Sequence, residues 1–304
     1  MLKHGIKCSY WEKPAGTPET YFVDKAALLG FDGVELESRM VMDKTPDQLR
    51  ELGSYARQKG IALTLGSGPP KHLNLCAADA GIRADAVRYR TKLIQNASLA
   101  GIKTIGGGLH TYWPVDFTEP VDKPGDWARG VEGMQLLAQV AEDCGVLLCL
   151  EVMNRFENHI LNTAAEGVAF CRDVGSDHVK LLLDTFHMNI EEDNIPTAIR
   201  LTGSYLGHLH TGESNRKVPG KGHLPWREIC EALVDINYRG FEVMEPFVRS
   251  DGPAARTIHV WRMLVDGGED RMDQDAADAR RFLDGLYRNS LESRRAAGRE
   301  RGLA

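Results

Sequence analysis

The sequence predicts an α/β protein: a single (β/α)8 TIM barrel with a C-terminal helical extension. Three observations predict it. Short apolar runs of strand length alternate with helix-length amphipathic segments along the chain, and that alternation implies a parallel sheet. Eight such units fit between residue 4 and about residue 266, near the roughly 30 residues that one β/α unit takes, and eight units close a barrel more readily than they form an open sheet. No GxGxxG follows any of the runs, which removes the main signature of a dinucleotide-binding fold. The expected division is a barrel over 1–266 and a helical, charged tail over 267–304.

The elements follow in order. Strand one is expected over 4–10 and its helix over 18–30; strand two over 31–36 and its helix over 45–60, where Thr45 and Gln48 have the spacing of a capping box. Strand three covers 61–65. The stretch Gly66-Ser67-Gly68-Pro69-Pro70 then breaks regular structure and predicts a functional loop. A helix over 78–100 stops at Gly101, and strand four covers 102–107. A long loop over 108–125 carries Trp113-Pro114, and the helix over 127–144 stops at Gly145. Strand five covers 146–152, with a helix over 163–174. Strand six covers 179–184, with a helix over 195–201. Strand seven covers 205–210, followed by a Gly/Pro/Lys loop over 211–224 and a helix over 225–236. Strand eight covers 240–245, with a helix over 253–264. In the tail, 270–289 reads as one amphipathic helix with Phe282, Leu283 and Leu286 on one side. Residues 290–304, with Arg294, Arg295, Arg299 and Arg301, read as a frayed solvated end or as a subunit contact.

Composition narrows the function. A net charge of -6 argues against a nucleic-acid footprint. The N-terminal MLKHGIKCSY has no long apolar stretch behind its lysines, so no signal peptide is expected, and no run approaches a membrane span. The six cysteines form no CxxC pair and several lie inside apolar runs; buried free thiols in a reducing cytoplasm are expected.

The chemistry stands at the ends of four runs. Glu151, Asp184, His210 and Glu245 each close an apolar segment, in steps of 33, 26 and 35 residues. In a barrel these positions are the carboxyl ends of strands five to eight, where catalytic residues gather. Each alone has a structural reading: a salt bridge for the acids, a satisfied core histidine for His210. Together they place three carboxylates in one mouth, which repel unless a cation or a retained proton intervenes. No obvious cluster of Lys or Arg stands at these ends, so one divalent metal is expected. Three oxygens and one imidazole suit Mn²⁺, Mg²⁺ or Co²⁺ better than structural zinc. His208 shares the strand face of His210 one layer deeper and is read as a neighbour of the ligands.

The segments LEVMNRFE (150–157), LLLDTFHMNIEED (181–193), GHLHTGESNRKVPGKG (207–222) and VMEPFV (243–248) resemble those of the ketose 3-epimerases. These enzymes act on D-tagatose, D-psicose (D-allulose) and L-ribulose and belong to the xylose isomerase-like barrels. The resemblance covers about 4–266 and implies a metal, usually Mn²⁺ or Co²⁺, on Glu151, Asp184, His210 and Glu245, without an organic cofactor. It also implies that Glu151 and Glu245 transfer the protons. Glu157, His187 and Arg216 would hold the ketose near O1, O2 and O3, and Trp113 and Phe247 would wall its far end. Gly66 and Gly107 would line the pocket, and Lys7 and Tyr10, on the first strand, would help set sugar preference. A homodimer or homotetramer is implied, with a small-molecule ketose as the only partner and no nucleic acid or membrane.

The expected reaction inverts C3 of free ketohexoses and ketopentoses through a cis-enediolate: D-allulose/D-fructose, D-tagatose/D-sorbose, L-ribulose/L-xylulose. The alternative is an aldose–ketose or hydroxypyruvate-type isomerase on the same barrel. A glycosidase would not need Asp184 and His210 in the mouth. A metal-dependent nuclease would need more ligands and a basic surface. A non-enzymatic sugar-binding module would tolerate loss of either glutamate.

Overall fold

Eight parallel strands close on themselves in sequence order, each hydrogen-bonded to the next and the last to the first. The computed structural model describes residues 2–118 and 120–300, the last four by backbone alone. The chain runs β1 (Lys3–Lys7), α1 (Glu19–Leu28), β2 (Gly33–Glu37), α2 (Arg39–Met42), α3 (Pro46–Gln58), β3 (Ala62–Ser67), α4 (Ala80–Leu99), β4 (Thr104–Gly107) and α5 (Lys123–Cys144). It continues with β5 (Leu147–Val152), α6 (Ala164–Val174), β6 (Val179–Asp184), α7 (Thr185–Glu191), α8 (Ile195–Thr202), β7 (Leu206–Thr211), α9 (Trp226–Asp235), β8 (Phe241–Met244) and α10 (Glu269–Glu300).

Local chemistry sets the helix starts. The Thr45/Gln48 capping box opens α3 as expected, and a second box, Thr163 with Glu166, opens α6. Each satisfies backbone N–H groups that a helix start leaves without partners. Strand period places the core. On β6, Leu181 and Leu183 join the layer between sheet and helices, while Leu182 and Asp184 turn into the barrel.

β7 carries one irregularity with a functional consequence. Leu206 pairs with Leu181, but His208 rather than Gly207 pairs with Leu182, so Gly207 is an extra residue opposite this step. The bulge puts His210 in register with Asp184. A one-residue slip would turn both histidines to the other face of the sheet.

Four points correct or extend the expected elements. Strand one ends at Lys7, and Cys8–Trp11 form a 3-10 turn. Two short helices, α2 and α7, occupy segments with no expected element. Residues 253–264 form turns instead of a helix, with His259 in the left-handed region at φ 58°. The helix expected over 270–289 runs unbroken to Glu300, so the described part of 290–304 is helical, with Arg301 outside the described residues.

With 253–264 non-helical, α10 is the long helix after β8. It packs on α9, and its Met272, Ala276, Ala279, Leu283 and Tyr287 are buried in the main core, at the spacing of one helix face. Phe282, expected beside Leu283, is 39 % exposed. The start of α10 is tied back to the first unit. The Tyr10 hydroxyl donates to the Met272 carbonyl at 2.8 Å and the Trp11 indole to Asp273 at 2.8 Å. Lys13, Lys25 and Tyr21 converge on Glu269. Tyr10 is therefore buried against α10 and does not line the pocket.

Candidate active site and metal centre

The carboxyl ends of the strands open into a cavity of about 880 Å³, lined among others by Lys7, Glu37, Glu151, Glu157, His187 and Glu245. Glu151, Asp184, His210 and Glu245 each offer one ligand atom, and these atoms lie within 4.8 Å of one another. β5, β6 and β7 carry the first three, while Glu245 stands one residue beyond β8. Its backbone N–H donates to the Thr211 carbonyl at 2.9 Å, which keeps it in line with the strand.

Asp184 decides whether this cluster suits a cation. One carboxylate oxygen accepts the Phe186 backbone N–H at 2.7 Å; the other, Oδ2, is buried without a hydrogen-bond partner, with His187 Nε2 3.9 Å away. Burial, with Glu245 nearby, pushes its carboxyl up to about 7. An orphaned carboxylate oxygen among acids, beside an imidazole, is the surrounding a divalent ion satisfies. The hard oxygens and single nitrogen fit such an ion.

His210 is aimed from below. Its Nε2 lies 2.9 Å from Glu35 Oε1, while Nδ1 faces Glu245 Oε2 at 3.1 Å and Glu151 Oε1 at 3.9 Å. Burial opposes charge on the ring, yet Glu35 and Glu245 raise its pKa well above the ordinary value. His208 Nε2 contacts the other Glu35 oxygen at 2.8 Å and Thr64 donates to the same carboxylate at 3.2 Å. His208 thus lies beneath the cluster, as its strand position predicted, and faces Glu35 rather than the four ligand atoms. Glu35 itself was missed. Glu35 lies inside an apolar run and does not close one, so the period-2 pattern Val34-Glu35-Leu36 is its signal in the sequence.

A cation, Lys7 at the end of β1, reaches the cluster from outside strands five to eight. Its ammonium contacts Glu245 Oε1 and lies 4.0 Å from Glu35. Burial works against its charge, but Glu245, Glu37 and Glu35 raise its pKa well above the ordinary value.

The remaining expected residues form one network at the cavity wall. Glu157 accepts from Arg216 at 3.2 Å, Asn154 at 3.1 Å and the Trp113 indole at 3.1 Å. His187 Nδ1 meets Asn154 at 2.7 Å and its Nε2 lies 3.5 Å from Glu151. The Arg216 guanidinium stacks 3.4 Å from the Phe186 ring centre and 5.2 Å from that of Phe247. Trp113 is thus both an apolar surface and a donor, and Asn154 is a further residue that sequence reasoning passed over.

Gly66 and Gly107 also line the cavity. At Gly66 a Cβ would come 2.9 Å from Glu35 Oε1 and 3.2 Å from Lys7 Cε. Gly107 has φ +113°, and a Cβ would meet the Ser67 carbonyl oxygen at 2.2 Å. Gly107 requires glycine for both its φ and its space, and a side chain at Gly66 would displace the Glu35 carboxylate or the Lys7 ammonium.

Comparison with known proteins gives the family of the chain. The model of the xylose isomerase-like TIM barrel family matches residues 23–281. The D-psicose 3-epimerase of Agrobacterium fabrum (strain C58) is 51 % identical over 283 residues, covering 92 % of this chain and 98 % of that one. The chain belongs to the ketose 3-epimerases. An L-ribulose 3-epimerase of Mesorhizobium japonicum is 32 % identical, covering 87 % of this chain and 88 % of its own length. A solved D-psicose 3-epimerase from Clostridium cellulolyticum H10, crystallised with D-tagatose, superposes with a TM-score of 0.92 at 48 % identity, covering 94 % of this chain and 99 % of that one. As a member of the ketose 3-epimerases the protein is an isomerase acting on carbohydrates. Among the described residues no helix is long and apolar enough to cross a membrane.

Proposed function

We propose that the protein inverts C3 of free ketoses, interconverting D-allulose and D-fructose, with D-tagatose/D-sorbose and L-ribulose/L-xylulose as further pairs. The observation that carries this reading is the convergence of Glu151 and Glu245 on one cluster with Asp184 and His210, in a chain half identical to a D-psicose 3-epimerase.

The task is to remove the proton from C3, beside the C2 carbonyl, and return one on the opposite face. One glutamate takes the proton as a carboxylate and leaves an enediolate. The other, protonated, delivers its proton from the far side; the two then stand with protonation states exchanged, ready for the reverse direction. Glu151 and Glu245 lie three strands apart on the ring, so they approach a central carbon from different sides. Burial raises the Glu245 carboxyl, but Lys7 and His210 outweigh it and hold its pKa well below the ordinary range; ionised is the state a base needs. Positioned acid–base groups contribute roughly 10²–10⁴-fold.

Glu151, Asp184, His210 and Glu245 would hold one divalent cation, with Mn²⁺ expected first and Co²⁺ or Mg²⁺ as alternatives. When bound, such an ion supplies Lewis-acid stabilisation of the negative charge that develops on the ketose oxygens. Glu157, His187 and Arg216 would orient the sugar's O1–O3 end, and Trp113 and Phe247 would pack its carbon face. Six free thiols, five of them buried, suit a reducing cytoplasm.

The test is a substrate panel with added Mn²⁺, run in D₂O and read by chromatography and NMR. C3 epimers labelled at C3 are expected. Aldose products, or C3 epimers without solvent label, would overturn the reading.

A further inference from the structure

We propose that Lys7 is a resident cation of the metal centre. Its ammonium shares Glu245 with the divalent ion, holds the carboxylates together when the ion is absent, and weakens the ion's grip when it is present. The inference rests on the metal reading of the cluster given above.

The geometry divides Glu245 between two partners. Oε1 contacts the Lys7 ammonium, while Oε2 faces His210 Nδ1 at 3.1 Å, toward the other ligand atoms. An ion held by those residues would share the Glu245 carboxylate with the ammonium inside one buried site. Like charges repel most where water is excluded.

Lys7 is built into this position. It is the last residue of β1 and pairs in register with Glu35, so its side chain starts on the inward face. Gly66 opens the space it crosses, since a Cβ there would lie 3.2 Å from Lys7 Cε and 3.3 Å from Nζ. Its side chain is 14 % exposed, and Glu35, Glu37, Glu151 and Glu245 are the acids around it.

Two effects oppose each other when Lys7 is removed. Glu245 loses a partner that fixes its rotamer, which weakens metal binding. The ion loses a neighbouring positive charge, which strengthens it. Ordering one short side chain is worth less than removing a full charge beside a buried dication, so the charge decides the sign.

The test uses metal-stripped full-length protein titrated with Mn²⁺ alone in a calorimeter, with melting curves before and after loading. Lys7→Met keeps the chain length and removes the charge. It is expected to bind Mn²⁺ at least tenfold tighter than the original chain, to melt lower when metal-free, and to regain most of that loss when loaded. Lys7→Arg is expected to bind Mn²⁺ like the original chain. Should Met not be tolerated, Lys7→Gln must show the same tightening relative to Lys7→Arg. Unchanged or weaker binding in the neutral variants, while Asp184→Asn abolishes binding, overturns the role of Lys7 and leaves the metal site standing. Absence of Mn²⁺ binding from the original chain and the Lys7 variants alike overturns both.

Discussion

His210 and Glu35 lie 2.9 Å apart, Nε2 to Oε1, beneath the mouth of the barrel. That contact engages one ring nitrogen and leaves the other facing the carboxylates. A buried acid behind a ligating histidine fixes its orientation and raises its basicity. Glu35→Gln is expected to lower Mn²⁺ affinity or turnover about 10–100-fold, because a neutral amide cannot accept from His208, His210 and Thr64 alike. Calorimetric Mn²⁺ binding and kcat/KM measure this; if neither moves, the contact has no functional weight.

Glu151→Gln and Glu245→Gln should each abolish turnover, a loss of at least roughly 10²–10⁴-fold, with circular dichroism unchanged. Exchange of the C3 hydrogen with D₂O distinguishes the partial reaction from full inversion. Near-normal activity in either variant would remove that residue from the proton path.

Asp184→Asn removes a buried carboxylate whose Oδ2 has no hydrogen-bond partner. The metal-free variant should melt at or above the temperature of the original chain, since burying a carboxylate among other acids is costly. It should also lose the thermal gain on adding Mn²⁺, which for a one-site ligand amounts to about 2.7 kcal/mol at a hundred times its Kd. A chelator should inactivate the original chain, with Mn²⁺ or Co²⁺ restoring it. An undiminished thermal response in Asp184→Asn would contradict its place among the ligands.

Arg216 combines a stacked guanidinium, 3.4 Å from the Phe186 ring centre, with a hydrogen bond to Glu157. A lysine keeps the charge but loses the planar fork and the stacking. Arg216→Lys is expected to raise KM for the ketose about tenfold, with a smaller effect on kcat. Steady-state kinetics with D-allulose reads the split, and an unchanged KM would detach Arg216 from the sugar.

At the start of α10, burial raises the Glu269 carboxyl, but Lys13, Lys25 and Tyr21 overcome that and hold it at about 2. A carboxyl depressed in the fold stabilises above its unfolded value of about 4.5 and loses that contribution as pH falls toward its folded value. The melting temperature should therefore fall more steeply between about pH 4.5 and 2 in the original chain than in Glu269→Gln. Parallel curves would show that the cluster does not anchor α10.

The four apolar runs ending in Glu151, Asp184, His210 and Glu245 made the barrel and the candidate metal cluster legible in the sequence. Strand length, unit spacing and period 2 are local properties, and in a barrel they fix which end of a strand faces the mouth. Contacts between distant strands were beyond that reach. Lys7 meets Glu245 across 238 residues, and Glu35 meets His210 across 175; only barrel closure makes them neighbours. Gly207 reads as an ordinary strand residue until pairing with β6 makes it the bulge that brings His210 level with Asp184. Residues 253–264 have helix-like composition, yet Pro253, Ala254, Thr257 and Ile258 line the cavity, while α10 supplies the long helix after β8 and packs on α9. Sequence alone determined the strand ends and the side chains they present to the mouth. Tertiary structure decided which charges face each other, because register and ring closure are set by packing across the whole barrel and not within any one segment.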